Sequence, residues 1–101
     1  MPKTFVIVWR YLVPEDHRAP FEAAYGSDGV WARLFAQSPH YLGTELLGGG
    51  PGEYVTIDRW DAEAEASSFI AAHRTEYDRI DRACADLTEA EVLLFRGSRI
   101  G

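Results

Sequence analysis

The segment Thr4 to Val13, with the sequence TFVIVWRYLV, limits the possible folds of this chain more than any other stretch. It is rich in β-branched and aromatic residues, and it is too short to span a membrane as a helix. Because apolar residues follow one another almost without interruption, we predict a central β-strand that is covered on both faces. Alternate side chains of a strand point to opposite faces. The two predicted faces carry Phe5, Ile7, Trp9 and Tyr11 on one side and Val6, Val8, Arg10 and Leu12 on the other.

The remainder of the chain is predicted to contain two helical regions and three further strands. The first helical region is Glu15 to Tyr25 followed by Val30 to Gln37, with a glycine-bordered break at residues 26–29. The other predicted elements, in chain order, are a strand His40 to Leu47, a glycine-rich turn at 48–52, a strand Glu53 to Trp60, a helix Ala62 to Ala85 and a strand Ala90 to Arg96. We expect a single domain over residues 1–101 with its core at about 4–96, and a frayed tail from Gly97 to Gly101.

The order of these elements, β-α-β-β-α-β, predicts a ferredoxin-like α+β fold. Right-handed crossovers place the four strands in one antiparallel sheet with the order 4-1-3-2 and put both helical regions on the same sheet face. The other face of the first strand would then be apolar and uncovered. Since an exposed apolar face of that size marks an interface, we predict a homodimer that packs sheet to sheet.

The composition excludes several classes of protein. With 47% hydrophobic residues and a net charge of −6, the chain is too apolar to be disordered and too acidic to offer a nucleic-acid-binding surface. One cysteine cannot form an internal disulfide or a cysteine-based metal site, which favours an intracellular protein. The sequence shows neither a secretory signal nor a long apolar run. We therefore expect a cytoplasmic domain without membrane or nucleic-acid partners.

Five segments together resemble the antibiotic biosynthesis monooxygenase (ABM) family of dimeric α+β barrels. The resemblance extends over roughly Thr4 to Phe95, and its most family-like feature is Trp60 at the end of the third strand with Phe69 and His73 on the following helix. The segments that carry it are VIVWRY (Val6 to Tyr11), PEDHRAPFEAAYG (Pro14 to Gly26), YLGTELL (Tyr41 to Leu47), YVTIDRWD (Tyr54 to Asp61) and FIAAHRTEYD (Phe69 to Asp78).

The resemblance implies the ferredoxin-like fold, the dimer and a pocket between sheet and helices in each subunit. Some similar proteins oxidise polycyclic phenols to quinones with O2 and no cofactor, whereas others degrade haem. Both activities use a pocket asparagine, and this sequence contains no asparagine. Where the quinone-forming members have theirs, this chain has Thr56. Haem degraders have an asparagine where Trp9 stands, a tryptophan at Phe69 and an iron-binding histidine near Arg79. Haem is therefore not expected, and molecular oxygen is the implied co-substrate.

His73, Trp60 and Arg59 are the candidate catalytic residues. On the predicted long helix, His73 belongs to an apolar stripe facing the sheet, where an imidazole could remove a phenolic or C–H proton. The alternative is a core histidine that only needs a hydrogen-bond partner. Trp60 would pack against the substrate and Arg59 would hold its anionic form. The candidate substrate-binding residues for an aromatic ligand are Trp9, Tyr11, Tyr25, Trp31, Phe69 and Tyr77, although core packing explains such residues equally well.

The strand charges have a simpler explanation as well. Arg10, Asp58 and Arg59 lie inside strands that should be covered, and ion pairs across neighbouring strands or across the dimer would satisfy them. The three histidines lack the spacing of a metal site. Three functions stay open: a cofactor-independent monooxygenase acting on a small aromatic substrate, a non-catalytic protein that binds a small ligand in the same pocket, and haem degradation.

Overall fold

A computed structural model of the chain describes residues 4–101, in which four strands and four α-helices are present. The strands are β1 (Phe5–Leu12), β2 (Tyr41–Gly48), β3 (Glu53–Trp60) and β4 (Ala90–Ser98). The helices are α1 (Arg18–Tyr25), α2 (Val30–Phe35), α3 (Glu63–Ala72) and α4 (Arg74–Cys84), with short 3₁₀ turns at Glu15–His17 and Ala85–Leu87. No helix in this range is both long enough and apolar enough to cross a bilayer.

All strand pairs are antiparallel, and the sheet order is β2-β3-β1-β4. This arrangement confirms the predicted ferredoxin-like α+β fold and the predicted strand order. The alternation in β1 also holds, because Phe5, Ile7 and Tyr11 are buried beneath the helices. Residues directly opposite each other in an antiparallel pair point to the same face, so the β3 partners of the inward β1 residues also point inward. The inward pairs are Phe5 with Trp60, Ile7 with Asp58, Trp9 with Thr56 and Tyr11 with Tyr54.

The outer face of the sheet is apolar and uncovered in the single chain. Phe95 and Val92 on β4 are 57% and 48% exposed, and Leu47 on β2 is 43% exposed. Two ion pairs cross neighbouring strands on this face, Arg10 with Glu53 at 2.6 Å and Arg59 with Glu45 at 3.1 Å. The predicted cross-strand pairing of the two arginines is thus confirmed.

The predicted helix Ala62 to Ala85 is wrong as a single helix, because it is interrupted at His73. The backbone of His73 leaves the helical region, with φ −113° and ψ 27°. Its Nδ1 lies 3.0 Å from the carbonyl oxygen of Phe69, which also accepts the His73 backbone N–H at 3.0 Å. The regular i→i−4 bond is thus kept while the imidazole shares the same carbonyl, and local side-chain-to-backbone bonds of this kind accompany bent helices. The stripe predicted on one straight helix is therefore divided between α3 and α4.

The expected frayed tail is also partly wrong, because β4 continues through Ser98. Gly97 and Ser98 pair with Val6 and Phe5 of β1, and the Arg99 N–H donates to the carbonyl of Thr4 at 2.8 Å. The paired backbone groups of β1 extend this far, so the last strand gains hydrogen bonds by following them.

Candidate functional site

A cavity of about 240 Å³ lies between the inner face of the sheet and helices α1, α2 and α4. Its wall contains six aromatic residues, three carboxylates and two threonines. These residues are Trp9, Tyr11, Tyr25, Trp31, Phe35, Tyr77, Asp58, Asp81, Glu91, Thr44 and Thr56. The volume is slightly below the roughly 300–1,000 Å³ usual for small-molecule sites, so it suits a compact aromatic ligand.

A bulge in β2 brings a hydroxyl group to one wall of the cavity. The pairing with β3 shifts by one residue between Tyr41 and Gly43, and Gly43 has a φ of 131°, which favours glycine. After the shift, Thr44 lies directly opposite Asp58. The Thr44 hydroxyl donates to Asp58 Oδ1 at 2.5 Å, and it also contacts the hydroxyl of Tyr41.

A second bulge decides which side chain of β4 enters the cavity. The β1–β4 pairing shifts between Val8 and Trp9, so that Tyr11 lies opposite Glu91. Without the shift, the earlier register would place Tyr11 opposite Val92. Because a one-residue slip exchanges the two faces of a strand, the bulge puts the exposed carboxylate of Glu91 on the inner face and turns Val92 outward.

Asp58 is the most perturbed acidic group in the cavity wall. Burial raises the pKa of its carboxyl from 3.8 to about 6, while the Thr44 hydrogen bond acts in the opposite direction. Within residues 4–101 no Lys, Arg or His side chain forms an ion pair with Asp58, so the expected strand ion pair is wrong for this residue. A partly buried carboxylate of this kind is a suitable general base near neutral pH.

Three tyrosine hydroxyls supply neutral hydrogen-bonding groups to the same wall. Burial raises the pKa of Tyr11, Tyr25 and Tyr77 above the ordinary value of 10.0, so these phenols stay protonated at neutral pH. The Tyr11 hydroxyl lies 3.3 Å from the hydroxyl of the buried Thr56. Neutral hydroxyls of this kind can donate to an oxygen atom on which negative charge develops.

Most of the predicted substrate-binding residues come together in this cavity. Five of the six line it: Trp9, Tyr11, Tyr25, Trp31 and Tyr77. Phe69 is placed elsewhere, in the core between Trp60 and His73, with ring centroids 5.7 Å and 4.0 Å away. Whether any of these residues binds a ligand stays a prediction.

The three predicted catalytic residues lie outside the described lining of the cavity and do not meet at one place. Trp60 is 1% exposed and packs in the core. His73 lies at the α3–α4 junction and stacks on Phe69. Arg59 belongs to the outer sheet face, where it pairs with Glu45, because it alternates with the inward Trp60. The sheet therefore separates Arg59 from the other two.

Sequence reasoning did not identify most of the polar half of this wall as a site: Asp58, Thr44, Asp81 and Glu91. Thr56 was singled out only through the family resemblance, as the residue at the position of an asparagine. One signal for Asp58 was present, since it lies two residues before Trp60 and two after Thr56 on the same strand. An inward Trp60 thus requires an inward Asp58. Gly43 inside a predicted strand was a signal for the bulge that supplies Thr44. For Asp81 and Glu91 the sequence offered no comparable signal.

Comparison with known proteins identifies similar folds among solved structures. No family model matches the chain, and no match was found among curated proteins. SnoaB from Streptomyces nogalater, described as a cofactor-independent oxygenase, is 19% identical, with 92% of both chains covered and a TM-score of 0.64. A structure described as an antibiotic biosynthesis monooxygenase is 15% identical, with 90% of this chain and 96% of that chain covered and a TM-score of 0.60.

A third structure is described as a dimeric ferredoxin-like protein from Thermobifida fusca. It is 10% identical, with 98% of this chain and 93% of that chain covered and a TM-score of 0.65. Identities this low establish shared architecture, while the residues of the cavity have to be interpreted on their own chemistry. The chain has the fold of the antibiotic biosynthesis monooxygenase structures, as the sequence resemblance predicts.

Proposed function

We propose that the chain is a member of the ABM family and that its cavity is the active site of a cofactor-independent monooxygenase for a small, electron-rich aromatic substrate. The observation that carries this proposal is a partly buried carboxylate, Asp58, which forms no ion pair within residues 4–101 and faces a cavity with aromatic walls. The similarity in fold to SnoaB, described as a cofactor-independent oxygenase, supports the same reaction class.

In this proposal Asp58 begins the reaction as a general base. Its carboxylate takes a proton from a phenolic O–H or from a C–H that the aromatic system acidifies. The negative charge moves from Asp58 to the substrate, so the total charge in the cavity does not change. Burial favours this transfer, because it disfavours the ionised form of Asp58.

The electrons for oxygen reduction come from the substrate itself. The deprotonated substrate passes electrons to O2 and forms a C–O bond, which gives a hydroperoxide once a proton is returned. Loss of water converts a CH2 group into a carbonyl, so one oxygen atom enters the product and the other leaves as water. The step consumes one O2 for each carbonyl formed and needs no external reductant.

The other wall residues would orient the substrate and stabilise its charge. Trp9, Trp31 and Tyr77 offer ring surfaces for stacking. Tyr11 and Tyr25 would donate hydrogen bonds to the oxygen atom that becomes negative. The competing assignment of His73 as the base would require its imidazole to reach the substrate from the α3–α4 junction, outside the cavity lining.

An oxygen-uptake assay tests this function directly. Purified protein without added metal or flavin is mixed with anthrone and with a hydroxylated anthrone, both of which carry the CH2 group that the reaction converts into a carbonyl. We expect one O2 consumed per quinone formed, and an enzyme-dependent rate that rises with pH through about 6, where Asp58 loses its proton.

Absence of enzyme-dependent uptake across the probes would contradict the oxygenase proposal. Two tryptophans, Trp9 and Trp31, line the cavity, so their fluorescence reports binding separately from turnover. Binding without uptake would favour the alternative of a non-catalytic ligand-binding protein. Soret absorbance after haem titration tests the third function, which lacks a histidine in the described cavity wall.

We also propose that a second copy of the chain covers the outer sheet face. The exposed apolar side chains Phe95, Val92 and Leu47 support this, as does the similar fold of a protein described as dimeric. Replacing Phe95 by Asp would bury a charge in that interface and is expected to give a monomer by size-exclusion chromatography with light scattering. The control is Val30→Asp, an exposed apolar residue on α2, which should leave the dimer intact. A wild-type monomer at micromolar concentration would contradict the proposal.

A further inference from the structure

The cavity wall carries an unbalanced negative charge. Asp58, Asp81 and Glu91 contribute three carboxylates, and no Lys, Arg or His from residues 4–101 lines the cavity with them. None of the three forms an ion pair within that part of the chain. The Arg74 guanidinium lies 5.2 Å from the ring centroid of Tyr77, yet it pairs with Asp78 at 3.6 Å and is not part of the lining.

The backbone register of β4 sets the position of one of these carboxylates, Glu91. Its inward position depends on the β4 bulge, which replaces Val92 on the inner face. A bulge disrupts the strand ladder locally, and such bulges commonly re-aim a side chain next to a functional site. Burial, and then the nearby Asp81, raise the pKa of Glu91, as expected for a carboxylate that lacks a positive partner.

Aromatic rings surround these carboxylates. Trp31 lies at a ring-centroid distance of 4.9 Å from Tyr77 and 6.2 Å from Tyr25, which forms a connected aromatic wall from α1 to α4. Ring faces attract cations. Asp81 and Glu91 are themselves exposed, so a cation held by them would keep contact with solvent. Both features of the cavity, its aromatic wall and its carboxylates, therefore favour a positive ligand. A carboxylate or a preformed phenolate would instead be repelled by three like charges.

We propose that the ligand of this cavity carries an ammonium group beside its aromatic ring, with the cation held near Asp81 and Glu91 and the ring held near Asp58. The inference rests on the proposed function, since it names the class of substrate for the same site. The ammonium group offsets the charge of Asp81 and Glu91, while Asp58 stays available as the base. The substrate would then be an arylalkylamine with an oxidisable aromatic system.

Three isosteric probes test the charge preference without requiring turnover. Calorimetric binding of 2-naphthylmethylammonium, 2-naphthylmethanol and 2-naphthoate to the wild-type protein compares a cation, a neutral alcohol and an anion on one ring. We expect the ammonium compound to bind about tenfold or more tightly than the alcohol, and the carboxylate to bind most weakly.

Substitutions assign the preference to the two carboxylates. Glu91→Gln and Asp81→Asn should each reduce the advantage of the ammonium probe over the alcohol several-fold, whereas Glu89→Gln, outside the described cavity lining, should preserve it. Thermal melting confirms that each variant is folded.

Four outcomes would overturn the inference. They are equal binding of the three probes, tighter binding of the carboxylate, no binding of any probe, and an ammonium preference that survives both substitutions. Oxygen uptake with neutral phenols but no ammonium preference would overturn it while leaving the proposed function standing. An ammonium preference without any oxygen uptake would contradict the oxygenase function and leave the inference about ligand charge standing.

Discussion

Oxygen uptake by an Asp58→Asn variant is expected to fall about 10²–10⁴-fold, the usual contribution of a positioned general base. Asn has nearly the same shape as Asp and can still accept the Thr44 hydrogen bond, but it cannot take a proton from the substrate. The change therefore isolates proton transfer from packing. Asp58→Glu retains a carboxylate and should keep more of the activity than Asp58→Asn.

The same variant is expected to be more stable than the wild type at neutral pH. The pKa of Asp58 is about 6 in the folded protein and 3.8 without the protein environment, so the folded state binds this proton more tightly. Between those two values the unfolded chain is ionised and the folded chain is protonated, hence stability falls as pH rises from about 4 to about 6. The loss is complete above pH 6 and corresponds to at most about 3 kcal/mol.

Thermal melts between pH 4 and pH 8 measure this effect. Asp58→Asn should melt several degrees above the wild type at pH 8, and the difference should disappear towards pH 4, because the protonated aspartic acid and Asn are both neutral. Asp86→Asn, an exposed carboxylate on the turn after α4, should show neither the activity loss nor this pH-dependent gain. A destabilised Asp58→Asn at pH 8 would contradict the argument.

A comparison with His73→Gln decides between the two candidate bases. If Asp58 is the base, uptake falls in Asp58→Asn by far more than in His73→Gln. The opposite pattern, with full activity in folded Asp58→Asn and loss in His73→Gln, would assign the role to the residue that the sequence suggested.

Trp60→Ala is expected to lower stability by about 3–5 kcal/mol, the usual cost of truncating a buried aromatic residue. Trp60 is 1% exposed, and the rings of Phe35, Tyr41 and Phe69 surround it at centroid distances of 5.5, 5.3 and 5.7 Å. Because total stabilities of single domains are only about 5–15 kcal/mol, this one change could remove much of it. The melting temperature should fall by at least about 12 °C.

Trp9→Ala provides the matched control on the same sheet face. Trp9 is partly buried and has the cavity on one side, so its removal should cost less stability while weakening ligand binding. A larger drop in melting temperature for Trp9→Ala than for Trp60→Ala would contradict this assignment of core and site. Trp60→Phe tests the predicted catalytic role of Trp60. A folded variant that lost most of its oxygen uptake would support that role.

The sequence was sufficient for the fold because hydrophobic alternation is a local property of each strand. The pattern in Thr4 to Val13 divided β1 into the two faces that the structure shows, and the order of elements predicted the strand order and an uncovered apolar sheet face. It was insufficient at His73, where the helix is interrupted and the imidazole shares the Phe69 carbonyl with the backbone N–H. A periodic pattern does not register such a local break, so the imidazole was expected on a straight stripe facing the sheet.

By itself the sequence determined the four strands and their order, and it divided the residues of β1 between two faces. Only the tertiary structure decided the polar half of the cavity, through single-residue shifts in the pairing of β2 and β4. Those shifts place Thr44 opposite Asp58 and exchange Val92 for Glu91 on the inner face. Register depends on the partner strand as well as on the strand itself, and a slip of one residue reverses the faces. The aromatic ligand could therefore be anticipated from the chain, whereas the charge that it would meet could not.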